Sequence, residues 1–207
     1  MSLEPLHFLA LGDSYTIGES VDSNERWPEL LVGALRKRGV AFADPLIVAQ
    51  TGWTTAELMA GVEQAGVEGI FDLVSLQIGV NNQYRGGEAG IYRGEFRTLL
   101  EWAVAFAAGN PGRVAVLSIP DWGVTPFAIG RDCEQISREI DAFNRINRRE
   151  TEQFGARYVD VTGQSRLAAQ DPSLIAGDGL HPSAKMYAAW VSLALPTIIS
   201  ILDRAPI

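Results

Sequence analysis

Four short blocks of the sequence hold residues suited to acyl transfer. Ser14 stands in Gly12-Asp13-Ser14-Tyr15, and His181, one of two histidines, stands three residues after Asp178 in Gly177-Asp178-Gly179-Leu180-His181-Pro182-Ser183. A serine hydroxyl is a poor nucleophile until a base takes its proton, and the base needs a third group to orient it. Ser14, His181 and Asp178 can fill these roles, the aspartate holding one ring nitrogen while the other faces outward. Two further blocks, Thr51-Gly52-Trp53 and Gly79-Val80-Asn81-Asn82, offer a glycine N–H and an asparagine carboxamide, donors that suit a developing oxyanion. Gly-Asp-Ser alone is a common turn, so Ser14 gains meaning only in company with the other blocks.

The elements between the blocks must bring them together. Apolar runs bounded by Gly, Pro or Asp predict buried strands over Leu6–Leu11, Pro45–Ala49, Leu73–Ile78 and Val114–Ile119, with a weaker fifth over Arg157–Val161. Near-continuous apolar strands alternating with helical patterns indicate a parallel sheet covered on both faces. Thr54-Thr55-Ala56-Glu57 fits a capping box opening a helix that ends near Gly66, and Asp132 with Gln135 opens another that runs through Phe154 to Gly155. Tyr92, Phe96, Leu99, Ala103 and Phe106 form the apolar face of a helix stopping at Gly109-Asn110-Pro111. A last helix, capped by Ser183, runs through Tyr187, Trp190, Val191 and Leu195 to about Asp203, with Pro196 expected to kink it. The four chemical blocks all follow strands or fall in loops, consistent with one crevice at the C-terminal edge of the sheet. With no repeat, linker or composition shift, residues 1–207 are expected to form a single domain.

In order and spacing, the blocks Gly12-Asp13-Ser14-Tyr15, Gly52, Gly79-Val80-Asn81 and Asp178-Gly179-Leu180-His181-Pro182 resemble those of the SGNH hydrolases, the GDSL-type esterases and lipases. The resemblance spans Leu11 to Ser183. It implies an α/β three-layer sandwich with a mainly parallel sheet of about five strands, similar to the flavodoxin-like arrangement. It implies Ser14 as nucleophile, His181 as base and Asp178 as its orienting carboxylate. An oxyanion hole would be formed by the N–H groups of Ser14 and Gly52 and the Asn81 amide. The implied activity is hydrolysis of a carboxylic ester through an acyl-enzyme, with neither metal nor organic cofactor. Two positions depart from the family pattern. Tyr15 replaces the namesake leucine, and Asn82 stands where an aspartate is common, which leaves open the charge that its loop presents to substrate.

Composition and charge narrow the alternatives. The chain of 207 residues is 47% hydrophobic, and its 17 basic against 25 acidic side chains give a net charge of −8, which disfavours nucleic acid as a partner. Cys133, the lone cysteine, precludes an internal disulfide, and with two histidines it cannot build an ordinary structural zinc site. No apolar run was found near the roughly 20 residues of a membrane span, so no integral membrane association is expected. The chain as given lacks a basic leader and reads as cytoplasmic, with export expected only if a signal peptide has been removed. Nucleotide-binding glycine motifs, His-Glu-x-x-His and Gly-x-Ser-x-Gly are all missing. Asp13 reads as a turn-stabilising residue, His7 as a structural or partly exposed histidine in the first strand, and Arg145, Arg148 and Arg149 with Glu139, Asp141 and Glu150 as a solvated, ion-paired helix face. Trp53, Trp122 and Tyr84 follow the chemical blocks or strands, and can either line a substrate pocket or pack their loops. A small soluble ester with a short acyl group is the expected substrate. Lysophospholipase or thioesterase activity, and a non-catalytic binding module for acylated sugars or lipids, are the alternatives; oligomeric state is not readable.

Overall fold

A computed structural model describes residues 4–203 of the chain. Its strands are β1 (Phe8–Gly12), β2 (Leu46–Ala49), β3 (Leu73–Gln77), β4 (Val114–Leu117) and β5 (Arg157–Val159). The α-helices are α1 (Ser14–Ile17), α2 (Trp27–Arg36), α3 (Thr55–Ala65), α4 (Val80–Tyr84), α5 (Ala89–Phe106), α6 (Cys133–Phe154), α7 (Thr162–Ser165) and α8 (Ala184–Leu202). The five strands form one all-parallel sheet in the order β2-β1-β3-β4-β5, the doubly wound order of flavodoxin-like folds.

Burial follows the strand sequences. β1, β3 and β4 lie inside and are buried at every position, whereas the edge strands β2 and β5 are short and half-buried. Helices α3, α5 and α6 pack in succession to form one layer, and α2 packs against α8 in the other. The expected strands are trimmed at their ends. Leu6 makes only an isolated bridge to Phe42, and His7 sits exposed before β1, donating its backbone N–H to Asp72 Oδ2 at 2.9 Å. Helix α2 is absent from the helices expected above, although Pro28 in its first turn and Leu31, Val32 and Leu35 on one face carry the signal.

Local capping explains where the long helices start. Thr54 and Glu57 make the reciprocal capping box of α3, Asp132 accepts from Gln135 N at 2.8 Å to open α6, and Ser183 caps α8. Helix α8 runs unbroken through Pro196. It also corrects the membrane argument: at 19 residues it is long and apolar enough, by length and composition, to cross a membrane. In this fold it is a core helix that buries Met186, Tyr187, Trp190, Val191, Ala194, Leu195, Ile198 and Ile201. A second correction concerns Glu150, which is fully buried rather than solvated. Its position continues the inward stripe Ile136, Ile140, Phe143, Asn147 of α6, and its charge is met by Arg93 Nε at 2.5 Å. Arg145, Arg148 and Arg149 do face outward, with Arg148 paired to Asp160 at 3.2 Å.

The register sets up the site. Gly12 pairs with Ala49 of β2 and Gln77 of β3, so three strands end level and release the segments beginning at Asp13, Gln50 and Ile78 at one edge. β1 and β3 flank the point where successive connections diverge to opposite sides, the usual place for a ligand in an open α/β sheet.

Candidate active site

The turn that presents Ser14 is built from its neighbours. Gly12 ends β1 where an added Cβ would come within 2.1 Å of Thr16 Oγ1 and 2.7 Å of the Gln77 carbonyl, so only glycine lets α1 fold back this tightly. Asp13 caps α1, its Oδ1 accepting from Tyr15 N at 3.0 Å. It is a turn residue, as its position suggested, but also a wholly buried one, and burial pushes its carboxyl up to about 7 against the hydrogen bond from Tyr15 N. Ser14 is the first residue of α1, and its hydroxyl has no hydrogen-bond partner among the described residues.

Asp178 organises the other end of the chain. Its Oδ1 accepts from the N–H groups of Leu180 at 2.9 Å and His181 at 3.0 Å, while Oδ2 receives His181 Nδ1 at 2.6 Å and the hydroxyl of Ser20 at 2.8 Å. Burial pushes the carboxyl upward, but these hydrogen bonds outweigh it and hold it well below the usual carboxylate range. A carboxylate only accepts, so Nδ1 carries the proton and Nε2 remains the basic nitrogen. Ser20 holds this bond from a backbone at φ +67, a conformation that a non-glycine residue rarely adopts. The structure thus adds Ser20 to the site. Its sequence carries no signal, because its partner lies 158 residues away.

The turn after β2 and helix α4 supply the candidate oxyanion donors. Gly52 sits at φ +86, and its N–H has no acceptor among the described residues. Asn81 donates Nδ2 to the Trp53 carbonyl at 2.9 Å, which fixes the amide and leaves its second N–H free. Gly79 caps α4 at φ +127, where a Cβ would meet the Tyr92 hydroxyl at 2.3 Å. Asn82 turns the other way: its Oδ1 accepts from Thr55 N at 3.0 Å and its Nδ2 donates to Thr55 Oγ1 at 2.7 Å. Thr55 passes its own hydroxyl proton to Glu95. An asparagine fits because Thr55 Oγ1, having spent its proton, must accept. The charge that position 82 would present to substrate is therefore not at issue, since the side chain does not line the cavity.

A cavity of about 160 Å³ joins these parts. It is lined by Ser14, Gly52, Asn81 and His181 together with Tyr15, Thr51, Val80, Tyr84, Trp122, Phe127 and Leu180. Trp122 and Tyr84 are thus in the wall, their rings 5.4 Å apart edge to face. Trp53 is a correction: it does not line the cavity, and its ring lies against α3, where a Cβ on Gly61 would come within 2.1 Å of it. Phe127, 5.9 Å from Trp122, and Tyr15 are lining aromatics that the sequence did not assign to the pocket. The only signal for Phe127 is its place in the segment following β4. Phe127 N donates to the Gly179 carbonyl at 3.0 Å, tying this wall to the loop of Asp178 and His181. The Arg131 guanidinium lies 5.1–5.4 Å from the centres of the Tyr84, Trp122 and Phe127 rings, clamping them from outside. No group of three or more His, Cys, Asp or Glu side chains among the described residues is placed to hold a metal ion.

Comparison with known proteins places this arrangement. TesA superposes with a TM-score of 0.73 at 22% identity, covering 95% of this chain and 99% of its own. The psychrotrophic esterase EstA from Pseudoalteromonas sp., in a structure inhibited by monoethylphosphonate, gives 0.70 at 18% identity, covering 96% and 99%. Axe2, an acetylxylan esterase from Geobacillus stearothermophilus, gives 0.72 at 19%, covering 96% of both chains. At these identities the likeness establishes the fold. No curated protein sequence matches the chain. The model of the GDSL-like Lipase/Acylhydrolase family matches residues 10–189, from β1 through Ser14 and His181 into α8, so the chain belongs to that family and is a serine ester hydrolase.

Proposed function

We propose that the chain hydrolyses small esters with short acyl groups through an acyl-enzyme on Ser14. The observation that carries the short-chain preference is the cavity volume. About 160 Å³ is close to the roughly 150 Å³ of an apolar cavity that accepts benzene, room for a handful of heavy atoms beside the reacting carbonyl. Trp122 is buried and its ring is anchored by its Nε1 bond to Gln83 Oε1 at 2.8 Å. That the acetylxylan esterase Axe2 shares this fold fits an acetyl-sized acyl group.

His181 Nε2 takes the proton of Ser14 Oγ as the oxygen attacks the carbonyl carbon, and the carbonyl π electrons move to oxygen. The N–H groups of Ser14 and Gly52 and the free Asn81 N–H receive that charge. Collapse breaks the bond to the leaving alkoxide, which takes the proton from Nε2 and departs as alcohol. Water then adds by the same route, giving up its proton to Nε2, and Ser14 Oγ leaves with that proton as the acid is released. Asp178, held ionised by its four hydrogen bonds, supports the imidazolium in both halves.

The test is labelling with a fluorophosphonate followed by peptide mapping, together with kcat/KM for p-nitrophenyl esters from acetate to decanoate. A single adduct on Ser14, missing in Ser14→Ala, and a maximum at acetate or butyrate are expected. A maximum at octanoate or beyond would replace this reading with a lysophospholipase or thioesterase one. An unlabelled Ser14 would overturn the mechanism.

A further inference from the structure

We infer that Arg85 is a positioning residue for the oxyanion hole, gripping the turn that carries Gly52 from the same helix that carries Asn81. This rests on the assignment of Gly52 and Asn81 as oxyanion donors. Asn81 and Arg85 lie four apart along α4 and its C-cap, on one face, and they hold consecutive carbonyls: Asn81 Nδ2 donates to Trp53 O at 2.9 Å and Arg85 Nη2 to Gly52 O at 2.7 Å. The other arm of the guanidinium, Nη1, meets both oxygens of Glu57 at 3.1 Å. Glu57 is fixed in turn by the capping box of α3, accepting from Thr54 N at 2.7 Å.

The turn needs this help. Glycine has the greatest backbone freedom of any residue, and Gly52 is held at φ +86, where its N–H faces no acceptor among the described residues. The bond that closes the turn, Trp53 N to Gln50 O, is long at 3.3 Å. Thr51 is tied by its hydroxyl to Glu19 on one side, so the carbonyl of Gly52 is the remaining free handle, and Arg85 takes it. With that carbonyl released, rotation about the Gly52 backbone carries the N–H away from the position where the oxyanion forms. A lysine cannot substitute fully, because a single ammonium lacks the fork that reaches Glu57 and Gly52 in one fixed geometry.

The bland alternative is a surface ion pair that merely reinforces α3. Arg85 and Glu57 side chains are 50% and 44% exposed, and exposed pairs of this kind contribute little to stability. A purely structural role therefore predicts a Tm change within about 4 °C and no kinetic effect. A positioning role predicts a loss confined to the transition state.

The experiment compares Arg85→Ala, Arg85→Lys and Asn81→Ala in the full chain, measuring kcat and KM on p-nitrophenyl acetate, the rate of inactivation by an alkyl fluorophosphonate, and Tm. Loss of one oxyanion donor costs roughly 10²–10³-fold in kcat, which is the expectation for Asn81→Ala. Arg85→Ala is expected to lose about 10–100-fold in kcat with KM within about twofold and phosphonate inactivation slowed in parallel. Its pH profile should keep the wild-type shape, since the His181–Asp178 pair is untouched. Arg85→Lys should fall between wild type and Arg85→Ala at wild-type Tm. Wild-type kcat in either Arg85 variant, or a rise in KM alone, would overturn the inference while an impaired Asn81→Ala keeps the oxyanion assignment. Full activity in Asn81→Ala would remove that assignment itself.

Discussion

Asp13 should make the protein lose stability as pH rises through neutrality. Its carboxyl is 1% exposed, receives one backbone hydrogen bond from Tyr15, and is pushed by burial up to about 7, against about 3.9 in an unfolded chain. Below about pH 4 both states hold the proton and the residue costs nothing. Between about pH 4 and pH 7 the unfolded chain releases its proton while the folded one keeps it, so folding stability falls by about 1.4 kcal/mol per pH unit. The loss totals about 4 kcal/mol and levels off above the folded value. Other carboxylates act in the opposite sense, Asp178 among them, because its folded value lies below the ordinary one. The informative quantity is therefore the difference between wild type and Asp13→Asn. Asparagine keeps an Oδ1 for Tyr15 N–H and is a good helix cap, so the variant should fold alike but titrate no proton there. Urea denaturation at half-unit steps from pH 4 to 9 should show near-equal stability at the acid end and an advantage for Asp13→Asn growing to about 4 kcal/mol by pH 8. Parallel curves across the range would refute the reasoning and mean that Asp13 is ionised at no cost in the folded state.

The remaining expectations are sharper locally. Asp178→Asn should lower kcat/KM by about 10³–10⁴-fold while leaving Tm near wild type, because the amide keeps an acceptor for Leu180 and His181 N–H yet offers Nδ1 a donor and so favours the wrong imidazole tautomer; p-nitrophenyl acetate hydrolysis and a thermal melt read the two effects. Gly12→Ala should destabilise by about 3 kcal/mol, because the Gln77 carbonyl at 2.7 Å from the new Cβ belongs to β3 and cannot retreat. Gly33→Ala, inside α2 with nothing within 4 Å, should instead gain about 0.5–1 kcal/mol, and urea midpoints of the two variants check the contrast. Phe127→Ala removes a 40% exposed wall of the cavity and should shift the chain-length optimum toward longer acyl groups, with hexanoate gaining on acetate in kcat/KM.

What the sequence revealed and what it hid divide along a physical line. Strand and helix positions were legible where a local rule acts: the Thr54/Glu57 box, the Asp132 and Ser183 caps, and the apolar runs of β1, β3 and β4. Asp178 and His181 were legible as a pair because they are three residues apart. Residue type misled at Glu150: its spacing puts it on the inner stripe of α6, but a charge there reads as solvated until Arg93 arrives from another helix to meet it. Adjacency left Trp53 open between the pocket and loop packing; its carbonyl serves Asn81 while its ring turns to Gly61. Phe127, Ser20 and the carbonyl grip of Arg85 depend on partners brought together only by the sheet, and no spacing announces them.

The direction of hydrogen bonds, more than the choice of residue, ties these hidden parts into one site. Each group of the candidate site has one hydrogen-bonding position taken by a neighbour and another left unpaired among the described residues. His181 gives Nδ1–H to Asp178 and keeps Nε2; Asn81 gives one N–H to Trp53 and keeps the second; Gly52 has its carbonyl taken by Arg85 and keeps its N–H. Asn82 obeys the same logic behind the cavity, donating to a Thr55 hydroxyl whose proton already goes to Glu95. An aspartate there would face a hydroxyl with nothing left to donate, so the departure from the family pattern at position 82 is matched to Thr55 and Glu95 rather than to the substrate.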